Sequence, residues 1–130
     1  MKIIADTNVY LAVILNESEK QSIINHTKNA ELVSSKVLPY EIGNALSAMY
    51  KRKRLSKEQI LISFENFNNV EYYLETVDMV NALNIACAFN IYAYDAYYLE
   101  LAIRLKLPLL TLDNKMKEVA QALNITLLNI

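Results

Sequence analysis

The chain is poor in the residues from which several common sites are built. Gly43 is its only glycine, which excludes a Walker phosphate loop and a GxGxxG dinucleotide fingerprint, because both need several glycines at fixed spacing. Cys87 is the only cysteine, so no disulfide forms within the chain and no cysteine-rich zinc site is possible. Lying among Ile85, Ala86, Ala88 and Phe89, it reads as a small buried hydrophobe. With His26 the single histidine, a multi-histidine metal centre is ruled out. Two prolines, Pro39 and Pro108, and the absence of any Gly/Pro/Ser-rich stretch leave no linker, so residues 1–130 read as one domain. Neither sign of charge is in excess: 13 Lys and Arg face 14 Asp and Glu, giving −1. Nucleic-acid binding would therefore rest on a local basic patch or a metal. No apolar run approaches the ~20 residues of a membrane span. The apolar stretch after Lys2 is interrupted by Asp6 and Asn8 and leads to no small-residue cleavage site, which points to a soluble, cytoplasmic protein.

What is present is apolar residue in quantity. Hydrophobic side chains make up 54% of the chain, enough for one core; a domain of this size buries roughly two-thirds of its unfolded surface. Ile3, Ile4 and Ala5 form a short buried-strand pattern, and Val9, Leu11, Ala12, Ile14 and Leu15 follow at helical spacing. Ser18-Glu-Lys-Gln21 and Ser56-Lys-Glu-Gln59 have the form of capping boxes opening helices to about Asn29 and Phe67. Leu32-Val33 and Val70–Leu74 read as strands. Between the first of these and the second box, a helix carries Pro39 in its first turns and ends in Lys51-Arg52-Lys53-Arg54. From Asp78 to Asn90 the pattern is apolar almost all round, which predicts a helix buried in the core or against a partner. Tyr94–Lys106 is a further helix, Leu109–Leu112 a strand, Asp113–Leu123 a final helix and Thr126–Leu128 a last strand. Strands alternating with helices imply an α/β fold with a mainly parallel sheet, about five-stranded and covered on both faces.

Four acids stand out against this pattern. Asp6 and Asp113 each follow a strand directly, at the carboxyl end where open α/β sheets place their ligands. Asp95 sits in the first turn of its helix. Taken singly, each is equally a helix cap satisfying free N–H groups and the dipole. Glu41 differs, because it shares a helix face with Leu38, Ala45 and Ala48, and a buried carboxylate is costly unless paired or metal-bound. Its small neighbours, with Asn44 one turn on, leave room for something to approach.

Asp6-Thr7-Asn8 after a strand, Pro39-Tyr-Glu-Ile-Gly-Asn-Ala-Leu46, Tyr94-Asp-Ala-Tyr-Tyr-Leu-Glu-Leu-Ala102 and Thr111-Leu-Asp113 together resemble the four acidic motifs of PIN-domain nucleases, in order along the whole chain. The likeness is closest to the small VapC-type toxins of toxin–antitoxin pairs. It implies a three-layer α/β/α sandwich and metal-binding, catalytic acids at Asp6, Glu41, Asp95 and Asp113. Thr7, Asn8, Asn44 and Thr111 become accessory polar groups. It further implies RNA as substrate, 5′-phosphate and 3′-hydroxyl products, a cognate antitoxin as partner, and a homodimer. Some relatives carry a further acid shortly after the fourth; here Asn114, Lys115 and Lys117 stand there.

The residues support that chemistry independently. Converging carboxylates repel one another, a hard divalent cation removes the cost, and oxygen ligands without His or Cys select Mg2+ or Mn2+. The basic run 51–54 complements a helix C-terminus, or alternatively meets RNA phosphates or an acidic antitoxin segment. The tyrosines 92, 94, 97 and 98 around Asp95 fit a core or dimer surface better than base stacking. Three rivals follow from the same pattern. A phosphoacceptor receiver domain lacks its carboxylate pair and its Asp after Leu32-Val33. In a dehalogenase-type phosphatase, Asn8 replaces the second Asp. A nuclease fold that only binds a partner would not need intact acids.

Overall fold

Alternation along the first strand, β1 (Lys2–Ala5), sets the architecture: Ile3 and Ala5 point into one apolar cluster and Ile4 into another. The computed structural model describes residues 1–130. β1 pairs in parallel with β2 (Glu31–Ser35) on one side and β4 (Leu109–Leu110) on the other, and β2 pairs in parallel with β3 (Tyr73–Glu75). The order is β3-β2-β1-β4. The sheet has four strands rather than about five, because the expected strand at 126–128 is reduced to one parallel bridge between Leu109 and Leu127. A two-residue β4 offers a further strand too short an edge to pair along.

The cluster under Ile3 and Ala5 is filled from α1 (Thr7–Ile14), α2 (Lys20–Thr27), α3 (Leu38–Lys51) and α4 (Lys57–Asn68). The cluster under Ile4 and Val33 is filled from α6 (Ala93–Leu105) and α7 (Asn114–Ala122), with α5 (Met79–Phe89) packed beside α6. This is the three-layer α/β/α sandwich expected of crossover-connected parallel strands. A ring cluster of Tyr10, Phe67 and Tyr72 fills the first layer, with Tyr10 edge-on to Phe67 at 6.0 Å and Phe67 stacked on Tyr72 at 5.1 Å. The Tyr10 hydroxyl and the Ser34 Oγ lie 2.7 Å apart, and the Ser34 hydroxyl donates to the Ala5 carbonyl, which anchors the strand end just before Asp6.

The scarcity of glycine shows in the turns. All five left-handed backbone positions are non-glycine: Asn16, Asn90 and Asn124, with Lys53 and Lys106. Asparagine tolerates that conformation best after glycine, and Asn90 and Lys106 use it to end α5 and α6.

Three local expectations are corrected. Only the second capping box forms, with Ser56 and Gln59 bonding each other's backbone. The first does not, because α2 starts at Lys20 after a turn at 18–19 and its N-cap, Glu19, makes no side-chain bond. The third strand starts later than expected, at Tyr73. Finally, α5 is not buried all round. Ala82 and Ala86 are buried against α6, whereas Met79, Val80, Leu83 and Cys87 are exposed. The side of α5 away from α6 has no neighbouring element to cover it.

Candidate active site

The carboxyl ends of β1 and β4 lie side by side, so the residues that follow them are neighbours despite a long separation in sequence. Asp6 is the N-cap of α1: its Oδ1 accepts from the Val9 N–H at 3.3 Å. Its Oδ2 accepts from the Thr111 hydroxyl, and Thr111 Oγ1 accepts in turn from the Asp113 N–H at 3.1 Å. Asp113 caps α7 by accepting from the Met116 N–H at 2.9 Å. Thus the cap and site readings of Asp6 and Asp113 are compatible. One carboxylate oxygen satisfies the helix end, and each residue still stands at the mouth of the sheet.

Asp6, Glu41 and Asp95 line one cavity of about 420 Å³ together with Thr7, Asn8 and Asn44. Asp113 is not in its wall but lies near enough that its charge acts on both Asp6 and Asp95. Thr111 is buried beneath the cavity, where it ties Asp6 to the start of α7. Glu41 falls in the first turn of α3 and is half-buried, and Asp95 falls in the first turn of α6 without being its cap. Tyr98, on α6, joins two of these groups. Its hydroxyl donates to Glu41 Oε1 at 2.9 Å and lies 3.0 Å from Thr7 Oγ1. Sequence patterning gave Tyr98 to the core or a dimer surface, and it is core, 1% exposed. Its hydroxyl, though, reaches the site, as a buried tyrosine's polar tip must find a partner.

The electrostatics are those of carboxyls taken out of water without a compensating cation. Burial pushes the Asp6 carboxyl up to about 7, against the lowering effect of its bonds from Thr111 and Val9, with Asp95 and Asp113 adding to the rise. Burial likewise raises Glu41, opposed by the Tyr98 hydrogen bond and assisted by Asp95. Asp95 is raised by burial and then by Asp113. No lysine or arginine lines the cavity, and the two ion pairs in the protein, Arg104 with Glu100 and Lys115 with Glu118, lie elsewhere. The donor set is all oxygen, which suits a hard divalent cation. No three carboxylates are grouped closely enough to hold one ion as they stand.

Cys87 is exposed, not buried as expected. Of the clustered tyrosines, Tyr98 is core, Tyr97 half-buried, and Tyr92 and Tyr94 exposed. Tyr40, which sequence reading passed over, lines the cavity; its position directly before Glu41 was the available signal. A receiver domain is excluded by structure as well, since β2 ends in Ser34 and Ser35 with no phosphoacceptor Asp. No helix is long and apolar enough to cross a membrane.

The family model described as PIN domain matches residues 3–122. Three solved structures are similar over nearly the whole chain. PAE2754 from Pyrobaculum aerophilum has a TM-score of 0.73 at 17% identity, covering 98% of this chain and 83% of the other. VapBC2 from Rickettsia felis, bound to a DNA fragment from their promoter, has 0.63 at 20%, covering 99% and 98%. FitAcB from Neisseria gonorrhoeae has 0.65 at 15%, covering 98% and 96%. No curated protein matches the sequence.

Proposed function

The chain belongs to the PIN domain family, and from that premise we propose that it is a metal-dependent endoribonuclease, the toxin of a type II toxin–antitoxin pair. One observation carries the reading: three acids from three different elements line a single cavity to which no lysine or arginine contributes. Such an arrangement is unfavourable for a metal-free fold and favourable for a divalent ion. Asp6, Glu41, Asp95 and Asp113 would hold Mg2+ or Mn2+ in this proposal. The bound ion supplies Lewis-acid stabilisation of the phosphate and a more acidic water.

The chain's own residues set the geometry. Thr111 and the Val9 N–H fix the Asp6 carboxylate, and Tyr98 fixes Glu41. Thr7, Asn8 and Asn44 offer polar groups to the substrate backbone. Water adds its oxygen to phosphorus, the bond from phosphorus to the 3′ oxygen breaks, and a proton passes to that oxygen. The products are a 5′-phosphate and a 3′-hydroxyl, and no covalent enzyme intermediate forms. The likeness to VapBC2 and FitAcB supports a protein antitoxin as partner; a homodimeric state and a cytoplasmic setting complete the proposal.

The test is cleavage of total RNA by the purified protein with and without Mg2+. Cleavage is expected only with the metal, and Asp6→Asn or Asp95→Asn should abolish it with the circular-dichroism spectrum unchanged. Full activity in either variant, or in saturating EDTA, overturns the proposal. Metal binding without any cleavage would reduce the protein to a binding module.

A further inference from the structure

The cavity poses a problem for a polyanionic substrate. Acids line it and no cation does, and a single divalent ion cannot outweigh three or four carboxylates. Phosphate binding in the cavity then rests on the ion and on the polar groups of Thr7, Asn8 and Asn44, and stacking on the bases is a further source of affinity. The wall supplies surfaces for them. Each cavity acid on α3 and α6 is preceded directly by a tyrosine that lines the same cavity: Tyr40 before Glu41, Tyr94 before Asp95. Consecutive helix residues point about 100° apart, so an acid directed into the cavity puts the preceding ring on its rim. Both rings are open to solvent, Tyr40 at 79% and Tyr94 at 55%. Tyr94 is braced edge-on by Tyr97, with ring centres 5.7 Å apart and planes at 84°, which orients it before substrate arrives and lowers the ordering cost of binding.

We infer that Tyr40 and Tyr94 are stacking platforms that take nucleobases of the substrate at the rim of the cavity. This rests on the nuclease reading above. Bases inside a duplex have no free face to offer, whereas splayed bases stack on tyrosine irrespective of sequence. The polar lining around the rings, Asn8 and Asn44 among it, fits a nucleic acid better than an apolar protein face.

The test measures binding apart from cleavage. In wild-type protein kept metal-free with EDTA, which should not cleave, a short single-stranded oligoribonucleotide carrying aminopurine reports stacking by fluorescence quenching. Tyr40→Ala and Tyr94→Ala should each weaken binding about 5- to 150-fold, while Tyr40→Trp and Tyr94→Phe recover most of it. Tyr73→Ala, an exposed tyrosine of β3 outside the cavity, should change nothing. The same strand in a duplex should bind and quench poorly. Alanine variants that bind like their parent, or a duplex bound equally well, overturn the inference and leave the nuclease reading intact. Alanine variants that alter the oligomeric state in gel filtration instead of RNA affinity assign the rings to a protein contact and also overturn it. If wild-type protein neither binds nor cleaves RNA with Mn2+, the nuclease reading itself fails and the inference falls with it.

Discussion

Two carboxylates in this protein are almost wholly buried, and they are treated in opposite ways. Glu100, on the far side of α6, is 2% exposed. It accepts from Arg104 Nε at 2.9 Å and from an Arg104 Nη at 3.1 Å, and its Oε1 also accepts from the Asp78 N–H at 2.8 Å. Arg104 continues to the Thr76 carbonyl at 2.7 Å, so the pair fastens the β3–α5 connection to α6. Asp6 is 3% exposed and has two neutral donors but no cation. Burial with a charged partner is a structural device. Burial without one raises the cost of ionisation and leaves the group short of a positive charge, which the fold itself does not supply. That difference, more than the count of acids, separates the site from the rest of the molecule.

The comparison can be broken in four ways. The largest effect is expected at Asp6 in metal-free protein. Its carboxyl is raised from 3.8 to about 7, so between those values the folded chain holds a proton that the unfolded chain has released. Stability must then fall as pH rises through that window and stay low above it. The contribution of Asp6 is roughly 4 kcal/mol, and the raised Glu41 and Asp95 act in the same direction. Denaturant melts in EDTA should show wild type losing stability from about pH 4 to about pH 7 and staying low at pH 8. Asp6→Asn, which keeps a good N-cap, should show a flatter profile and greater stability at pH 8. Identical profiles would mean that Asp6 already has a partner.

Next in size is the opposite case. Arg104→Met strands Glu100 and should cost about 3 kcal/mol, at the low end for a buried pair because Arg104 is partly in water. A loss under 1 kcal/mol would erase the contrast. Third, Mn2+ at a hundred times its dissociation constant should stabilise wild type by about 2.7 kcal/mol. That gain should vanish in Asp6→Asn and persist in Arg104→Met, as read by thermal shift. Smallest is the exposed run Lys51, Arg52, Lys53 and Arg54, which does not line the cavity. Changing all four to Gln should alter stability by no more than about 0.5 kcal/mol. An unchanged salt slope for RNA binding would confirm that these cations only finish α3.

Much of this was legible in the sequence because it rests on local rules. The runs Ile3–Ala5 and Leu109–Leu110, each followed closely by an acid, are strand, turn and helix start within ten residues. Their periodicity and cap chemistry need no knowledge of the rest of the chain. The errors fall where a neighbour decides. The α5 sequence is apolar all round, yet only the side facing α6 found cover. Ser18 had the composition of a cap, but the chain turned before the helix began. Tyr98 looked like a core or dimer-surface residue and is core, and nothing local showed where its hydroxyl would end.

By itself the sequence determined that there would be parallel βα units with acids at their carboxyl ends, because side-chain spacing along a strand or helix dictates which face is apolar and where each element stops. Only the tertiary structure decided that β4 lies beside β1. That pairing brings Thr111 onto Asp6 across 105 positions, while the β1–β2 pairing and the packing of α6 on the sheet bring Glu41 and Asp95 to the same cavity. It also decided that Asp6 lost its water without gaining a cation, since desolvation is a property of everything packed around a group and not of the residues next to it in the chain.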